Sequence, residues 1–492
     1  MDTETRRPVA LIEEMLQRLR IADVRFCHWK SNRGLPNALA GLEDLDILTA
    51  RSNAGRFTSI LAELGFKQIR SGPDREFPGI EDHIGFDAAS GVVVHLQLHY
   101  RLILGEPLIK NFLFPIESEL LEDLDSSSEM PVPIPAAELA VFTLRILIKF
   151  KGYHMLKPAV ANRLRKEAYN ELTFLRSHEN REQASDLISR FFPGLDPELF
   201  MACLRALEVG APTHEILGLR RQVLRILRTY RRRGPVEALG SLVERRAFLS
   251  NWQRTRGRVP KRTPAAGGLM IAIIGPDGSG KSTAISTLDH WLNPFLNITL
   301  GHMGKPRKTL QSRFVDHLVS LSERLTGATS SPARTPLGRD IEGGPGMQTL
   351  YAWQLVCLAR DRKRESERLS QAVENGEIVL CDRYPMPNLH SMEGRHGHRL
   401  KKAQGRLALR WIRMEKEIHE SIERPTLVIG LCVPPTTASR RQPGDGADFV
   451  SFRAEEFATY IESLSNEVVL IDATSELASV SRQLRQIAWE AL

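Results

Sequence analysis

Apolar positions change period repeatedly along the chain. Over residues 8–20, Leu11, Ile12, Met15, Leu16 and Leu19 share one face of a predicted helix. Strand-like residues 24–27 follow, then the polar turn His28-Trp29-Lys30-Ser31-Asn32 and a strand around residues 45–48. A helix over 55–64, a strand near 66–69, an irregular stretch and an alternating strand over 91–99 complete an α+β pattern ending near residue 115. From residue 135 to about 252 the period is helical, with predicted helices over 137–150, 163–176, 183–191, 197–207 and 216–230. Pro193-Gly194, Pro212 and Gly234-Pro235 punctuate it. Residues 257–268 have linker composition, and the apolar strand 269–274 opens a further domain.

A chain of 492 residues is too long for one core, since single cores stop growing at about 250–300 residues. The pattern divides it into an α+β domain (1–115), a helical domain (116–256), a linker (257–268) and an α/β domain (269–492) with a doubly wound parallel sheet. Charge adds one feature. Between residues 219 and 262, arginines and lysines are opposed only by Glu237 and Glu244, about +12 within a chain of net charge +8. A general polyanion binder would spread its charge. Residues 216–230 interleave Val223, Leu224, Ile226, Leu227 and Tyr230 with arginines, which suits either packing on the helical domain or a weak, salt-sensitive contact with anionic lipid. Spaced aromatics for stacking bases are missing, so sequence-specific nucleic acid is not expected.

No stretch of about eighteen uninterrupted apolar residues occurs, and the first residues lack the apolar run of an export signal. The five cysteines are scattered without a CxxC pair. A reducing cytoplasm fits this reading. Oligomeric state is not readable, a dimer being compatible.

Chemistry enters at Gly275-Pro-Asp277-Gly278-Ser279-Gly280-Lys281-Ser282-Thr283, which follows a predicted strand and opens a predicted helix. This is G-x-x-x-x-G-K-[ST] in the setting it requires: glycines let successive N–H groups turn toward phosphates, and the helix N-terminus adds its positive end. ATP with Mg²⁺ is the expected cofactor, Lys281 reaching the β/γ-phosphates and Ser282 the metal. Further along, Leu358-Ala-Arg-Asp-Arg362 lies on a predicted helix, followed by Glu374-Asn-Gly-Glu-Ile-Val-Leu-Cys-Asp382-Arg383-Tyr384. Then come an apolar strand over 427–433, Arg440-Arg441, and Val468-Val-Leu-Ile-Asp472-Ala473 before a last helix.

This ordered set, with Asp277 inside the phosphate loop, resembles the thymidylate kinase family over about 220 residues. The resemblance implies a P-loop kinase in which Asp382 organises Mg²⁺-bound water or polarises the acceptor. Arg383 would bridge donor and acceptor, and Arg440 and Arg441 would close over the transferring group. Position 278 is glycine, so the loop itself carries no arginine and the lid arginines would supply that charge. Arg362 either touches the acceptor or lies on a solvated face with Arg360 and Arg364. The family's acceptor segments are replaced, by residues 300–308 with Lys305, Arg307 and Lys308, and by residues 385–394. The expected acceptor is therefore a small molecule other than dTMP, such as another nucleotide, a sugar or a sugar phosphate.

In the first domain, Asp44 and Asp46 share one face of a strand, where two carboxylates can hold a divalent metal. With Lys30-Ser31-Asn32 before them, they resemble the nucleotidyltransferase superfamily. That superfamily places a third acid on a neighbouring strand; here the candidate strand offers His95, Gln97 and His99 instead. No chemistry is read in the helices between. Three functions remain open from the sequence: a kinase fused to a degenerate nucleotidyltransferase-like module, a bifunctional enzyme, or an ATP-dependent switch or scaffold.

Overall fold

The computed structural model describes residues 7–125, 129–151, 157–176, 181–326, 344–386, 389, 394–400, 405–441, 447–462 and 468–492. The chain divides into two compact units, Met1–Arg262 and Thr263–Leu492.

In the first unit, strands β1 (Phe26–His28), β2 (Leu45–Thr49), β3 (Lys67–Arg70), β4 (Ile80–Asp87) and β5 (Val92–His99) pair in the order β1-β2-β5-β4-β3. β2 and β5 run parallel with Asp46 opposite Gln97, and β4 pairs antiparallel with β5, placing Asp82 opposite the same Gln97. Period-two alternation sends Leu45, Ile47, Leu96 and Leu98 to one side, where helices α1 (Ala10–Ile21), α2 (Leu35–Leu39) and α3 (Ala54–Glu63) bury them. Each such side chain, fully buried, contributes about 1.5–3 kcal/mol of transfer free energy. The opposite side carries Asp46, His95, Gln97 and His99.

After the hairpin β6 (Leu102–Leu104) and β7 (Phe112–Phe114) come α4 (Glu117–Glu122) and the two-residue strands β8 (Leu124–Asp125) and β9 (Val132–Pro133). Six helices then follow: α5 (Pro135–Lys149), α6 (Pro158–Arg176), α7 (Arg181–Phe191), α8 (Pro197–Glu208), α9 (Thr213–Ile226) and α10 (Pro235–Arg256). Where the sequence suggests a boundary near residue 115, the structure has continuity. Cys27, Trp29 and Leu48 of the strand region share one apolar core with Phe114 and with the residues of α5, α7 and α8. Helix α5 is apolar almost all round and buried along nearly its whole length, so it cannot serve as the surface of a separate domain.

The basic stretch also has a structural explanation. Ile216, Leu217, Val223 and Leu227 are buried in that core, so the apolar side of residues 216–230 faces protein. On α10, Arg245 donates to the carbonyls of Asp74 and Leu108 at 2.9 Å each and lies 4.7 Å from the centre of the Phe77 ring. Among the described residues no helix is long and apolar enough to cross a membrane.

The second unit begins with the short strand β10 (Thr263–Pro264). Its sheet is fully parallel, formed by β11 (Leu269–Ile274), β12 (Ile298–His302), β13 (Ile378–Asp382), β14 (Leu427–Cys432) and β15 (Val469–Asp472) in the order β12-β13-β11-β14-β15. The connecting helices are α11 (Lys281–Leu292), α12 (Leu310–Thr326), α13 (Pro345–Glu374), α14 (Arg406–Glu420), α15 (Pro435–Arg441), α16 (Ala447–Glu462) and α17 (Leu477–Ala491). Met270, Ala272 and Ile274 meet Leu369 and Ala372 of α13 and Phe457 and Tyr460 of α16. Trp291 of α11 meets Trp489 of α17, with ring centres 6.2 Å apart. Chain order reverses at β11, whose neighbours β13 and β14 leave in opposite directions. That opens a crevice at the carboxyl end of β11, where ligands of such sheets bind.

Candidate functional site

The crevice is filled by the loop Gly275–Gly280. Gly278 holds φ +83°, and a Cβ there would lie 2.6 Å from the carbonyl oxygen of Ala438 on α15, so only glycine fits. Lys281, at the first turn of α11 and buried, donates to the carbonyls of Gly275 and Pro276, both at 2.8 Å. Its ammonium also lies 3.7 Å from the Asp277 carboxylate. Ser282 and Thr283 are exposed beside it, and the buried Ser279 hydroxyl has no hydrogen-bond partner among the described residues.

Asp277 is the electrostatic centre. Arg383 donates to its Oδ1 at 2.7 Å and Arg453 donates to its Oδ2. Burial raises this carboxyl, but Arg453, Arg383 and Lys281 together hold it below the usual carboxylate range. Arg383 adopts a left-handed backbone, φ 59°, unusual outside glycine, and its N–H donates to Ile273 at the end of β11. The strained turn directs this side chain from β13 onto the phosphate loop. One residue earlier, Asp382 ends β13 with a buried Oδ1 that has no hydrogen-bond partner among the described residues. An acceptor in that state suits a Mg²⁺-bound water or a donor on substrate, and Ser282 stands where the loop meets α11.

The two lid arginines expected from the sequence end α15, the helix whose Ala438 carbonyl packs against Gly278. Arg441 donates to the Ala473 carbonyl at 3.1 Å, and Arg440 is exposed at the end of α15. Arg453, which the sequence reading missed, takes the place at Asp277. A signal was available: Arg453 is the single basic residue of α16 and lies among Val450, Ala454, Phe457 and Tyr460, buried positions of that helix. An arginine on an apolar stripe needs a buried partner.

On the other flank, Arg362 is buried and donates to the Met303 carbonyl at 3.2 Å, whereas Arg364 is exposed. Around it, His396 is held well below its usual pKa, by burial first and then by Arg362 and Arg399. Burial raises Glu415, which accepts the N–H groups of His396 and Gly397 at 2.9 and 3.0 Å. Asp361 is buried with neither carboxylate oxygen hydrogen-bonded among the described residues. Lys305 and Arg307 are exposed, and Lys308 pairs with Asp316 at 2.6 Å, the pattern of a solvated loop. Of the acceptor segment at 385–394, residues 387, 388 and 390–393 lie outside the described residues.

The first unit holds a second polar cluster. Lys30 donates to Asp46 Oδ2 at 2.7 Å, and His99 Nε2 lies 3.3 Å from Asp46 Oδ1. His95 bridges Asp44 at 2.7 Å and Asp82 at 3.0 Å. Asp82 is an acid that the sequence does not reveal, because β4 falls in the stretch whose pattern reads as irregular. The helices contribute as well. Glu138 of α5 accepts the backbone and side-chain N–H groups of Asn32, both at 2.9 Å, and Arg145 donates to the Ser31 hydroxyl at 2.7 Å.

No family model matches the chain. It is 23% identical over 238 residues to a thymidylate kinase of Symbiobacterium thermophilum, spanning 46% of this chain and 94% of that protein. To a thymidylate kinase of Xanthomonas campestris pv. campestris (strain B100) it is 26% identical over 233 residues, spanning 46% and 85%. It is 25% identical over 187 residues to the uncharacterized ATP-binding protein YghR of Escherichia coli K12, spanning 35% and 69%. These distant likenesses support a P-loop kinase-like domain and, with it, ATP binding.

Proposed function

We propose that the second unit transfers the γ-phosphoryl group of ATP to a small-molecule acceptor other than dTMP, while the first unit is a nucleotidyltransferase-like module that carries no kinase chemistry. The observation that supports this reading is the gathering of Lys281, Arg383 and Arg453 on Asp277 at the mouth of the phosphate loop. Three cations around one carboxylate supply the charge that a transferring phosphoryl group needs, and phosphoryl transfer depends mostly on such charge and on positioning. Lys281 would leave its two loop carbonyls for the β/γ-phosphates, and Arg383 would bridge donor and acceptor. Ser282 and Asp382 would hold Mg²⁺, which when bound neutralises phosphate charge. Asp361, Arg362 and His396 would face the acceptor: a carboxylate without hydrogen-bond donors and a guanidinium suit an acceptor bearing both hydroxyl and anionic groups. All five cysteines are free thiols, which fits action in the reducing cytoplasm.

The test is to incubate the protein with γ-labelled ATP and a metabolite extract, with the Lys281→Ala variant in parallel. Label should pass to a discrete acceptor only with the unsubstituted protein. Release of label as inorganic phosphate alone, whatever extract is added, would favour an ATP-dependent switch.

A further inference from the structure

The polar side of the first unit's sheet has the strand placement of a metal site without the open ligands of one. A divalent cation needs carboxylate oxygens free to coordinate it. Here both Asp46 oxygens are engaged, by Lys30 at 2.7 Å and His99 at 3.3 Å. Asp82 Oδ1 receives His95 and Gln97 at 3.0 Å each and Arg262 at 3.2 Å, and Oδ2 receives Ser71 at 3.0 Å. Asp44 Oδ1 is taken by His95 at 2.7 Å. Burial works against charge on His95, but its hydrogen bonds to Asp44 and Asp82 outweigh it and raise its pKa, and each ring nitrogen faces a carboxylate oxygen. Among the described residues no group of three or more His, Cys, Asp or Glu is arranged to hold a metal ion.

The cations exceed what these carboxylates neutralise. Lys110 sits on a left-handed backbone, φ 40°, with Nζ 4.9 Å from the centre of the Phe77 ring. Burial and then the nearby Lys30 ammonium push it down to about 8, Arg262 adding to this while Asp46 and Asp82 oppose it. Lys30, paired with Asp46, and Lys110 thus oppose each other's charge. Next to them, Trp29 Nε1 has no hydrogen-bond partner among the described residues, although the side chain is 97% buried and its ring meets that of His99 edge to face at 5.2 Å. A buried donor in that state is rare without a ligand or water to accept from it.

We infer that this face binds a phosphate-bearing small molecule directly through Lys30 and Lys110, without a divalent cation, the residues around Asp44 and Asp46 having replaced the metal by their own charges. Phosphate oxygens would relieve the repulsion between the two ammonium groups and give the unpartnered indole N–H of Trp29 an acceptor. This inference does not rest on the phosphotransfer proposed for the second unit.

The experiment is lysine footprinting of the full chain carrying Lys281→Ala, which keeps the phosphate loop out of the reading. Inorganic pyrophosphate is the probe, in EDTA, with an acetylating reagent and peptide mass spectrometry to follow Lys30 and Lys110 separately. At about ten times its Kd the probe should slow acetylation of both lysines about tenfold. Lysines exposed elsewhere, such as Lys305, should be unaffected. Protection that requires added Mg²⁺ would overturn the inference in favour of a metal site. Absence of protection at Lys30 and Lys110 under both conditions would overturn it altogether.

Discussion

Replacing Arg453 by methionine keeps the length and apolar stem of the side chain on α16 and deletes the guanidinium that donates to Asp277. Both partners are largely buried, with the Arg453 side chain 17% and the Asp277 side chain 8% exposed. A hydrogen bond between charged groups in that setting contributes about 1.5–3 kcal/mol. Arg383 and Lys281 remain on the carboxylate, so the stability loss should fall toward the lower end, about 1–2 kcal/mol. For a unit of this size that is a Tm decrease of roughly 3–6 °C. The larger effect should be on nucleotide. Once phosphates enter the loop the guanidinium exchanges one anionic partner for another, and losing that second contact costs a similar 1.5–3 kcal/mol, which is about 10- to 150-fold in Kd. Arg441→Met is the matched control, because that guanidinium is tied to the Ala473 carbonyl; it should change Kd less than about threefold. Titration with a fluorescent ATP analogue, beside thermal unfolding of both variants, reads the two effects apart. If Arg441→Met weakens nucleotide binding more than Arg453→Met, the lid arginines expected from the sequence carry the charge and the role given to Arg453 is wrong.

Lys281→Ala should reduce phosphoryl transfer by about two to three orders of magnitude or more while far-UV circular dichroism stays unchanged, since the lysine acts on phosphate charge from the first turn of α11, where alanine is a good helix former; near-normal turnover would remove the kinase assignment. dTMP should be a poor acceptor in a coupled ADP-release assay, because the segments at 300–308 and 385–394 do not match the family's, and turnover rivalling that of a dedicated thymidylate kinase would contradict this. Glu171 of α6 is pushed up to about 7, by burial first and then by Glu138, against the opposing charges of Arg145 and Arg33. The folded chain therefore keeps this proton between about pH 4.5 and 7 while the unfolded chain loses it, so stability falls as pH rises through that window and is level above it. Glu171→Gln should be nearly neutral at pH 4 and stabilising at pH 8 by no more than about 3 kcal/mol; an equal gain at both pH values in thermal unfolding would rule out the proton as its origin.

What could be read in advance follows from how local each feature is. The phosphate loop is a contiguous run whose function lies in its own backbone, so Gly275 to Thr283 were legible, as were Asp382 and Arg383 at a strand end. Arg453 was not, because its partner is 176 residues away and only the tertiary fold brings α16 over the loop. Strand β4 was missed for a different reason. Asp82, His83, Ile84, Gly85, Phe86 and Asp87 are all buried, so polar and apolar residues alike face inward and no solvent-facing alternation marks the strand. Gly85 adds to the disguise. A Cβ there would lie 2.6 Å from the Phe66 ring, so the strand carries a residue that normally signals a turn. Missing β4 hid Asp82, and with it the carboxylate that His95 needs on its second nitrogen.

The placement of donor and acceptor groups in the second unit explains why one half of the family pattern is kept and the other is not. Residues proposed to act on ATP sit at the carboxyl ends of β11 and β13, adjacent central strands whose register is fixed by five paired residues from Leu269 opposite Ile378 to Ile273 opposite Asp382. A change there would shift Lys281, Asp382 and Arg383 relative to one another, and charge-based catalysis tolerates little of that. Residues on the acceptor flank come from the segments after β12 and β13 and from the face of α13. Of these, the segment after β12 leaves Lys305 and Arg307 exposed with Lys308 paired to Asp316, so it can change without disturbing the sheet. With the function proposed above, a change of acceptor would therefore fall on parts that carry little of the fold and leave the phosphotransfer frame in place. If that is so, exchanging residues 300–308 for the corresponding segment of a thymidylate kinase should leave ATP affinity within about threefold, and a large loss of ATP binding would show that the two halves of the site are not separable.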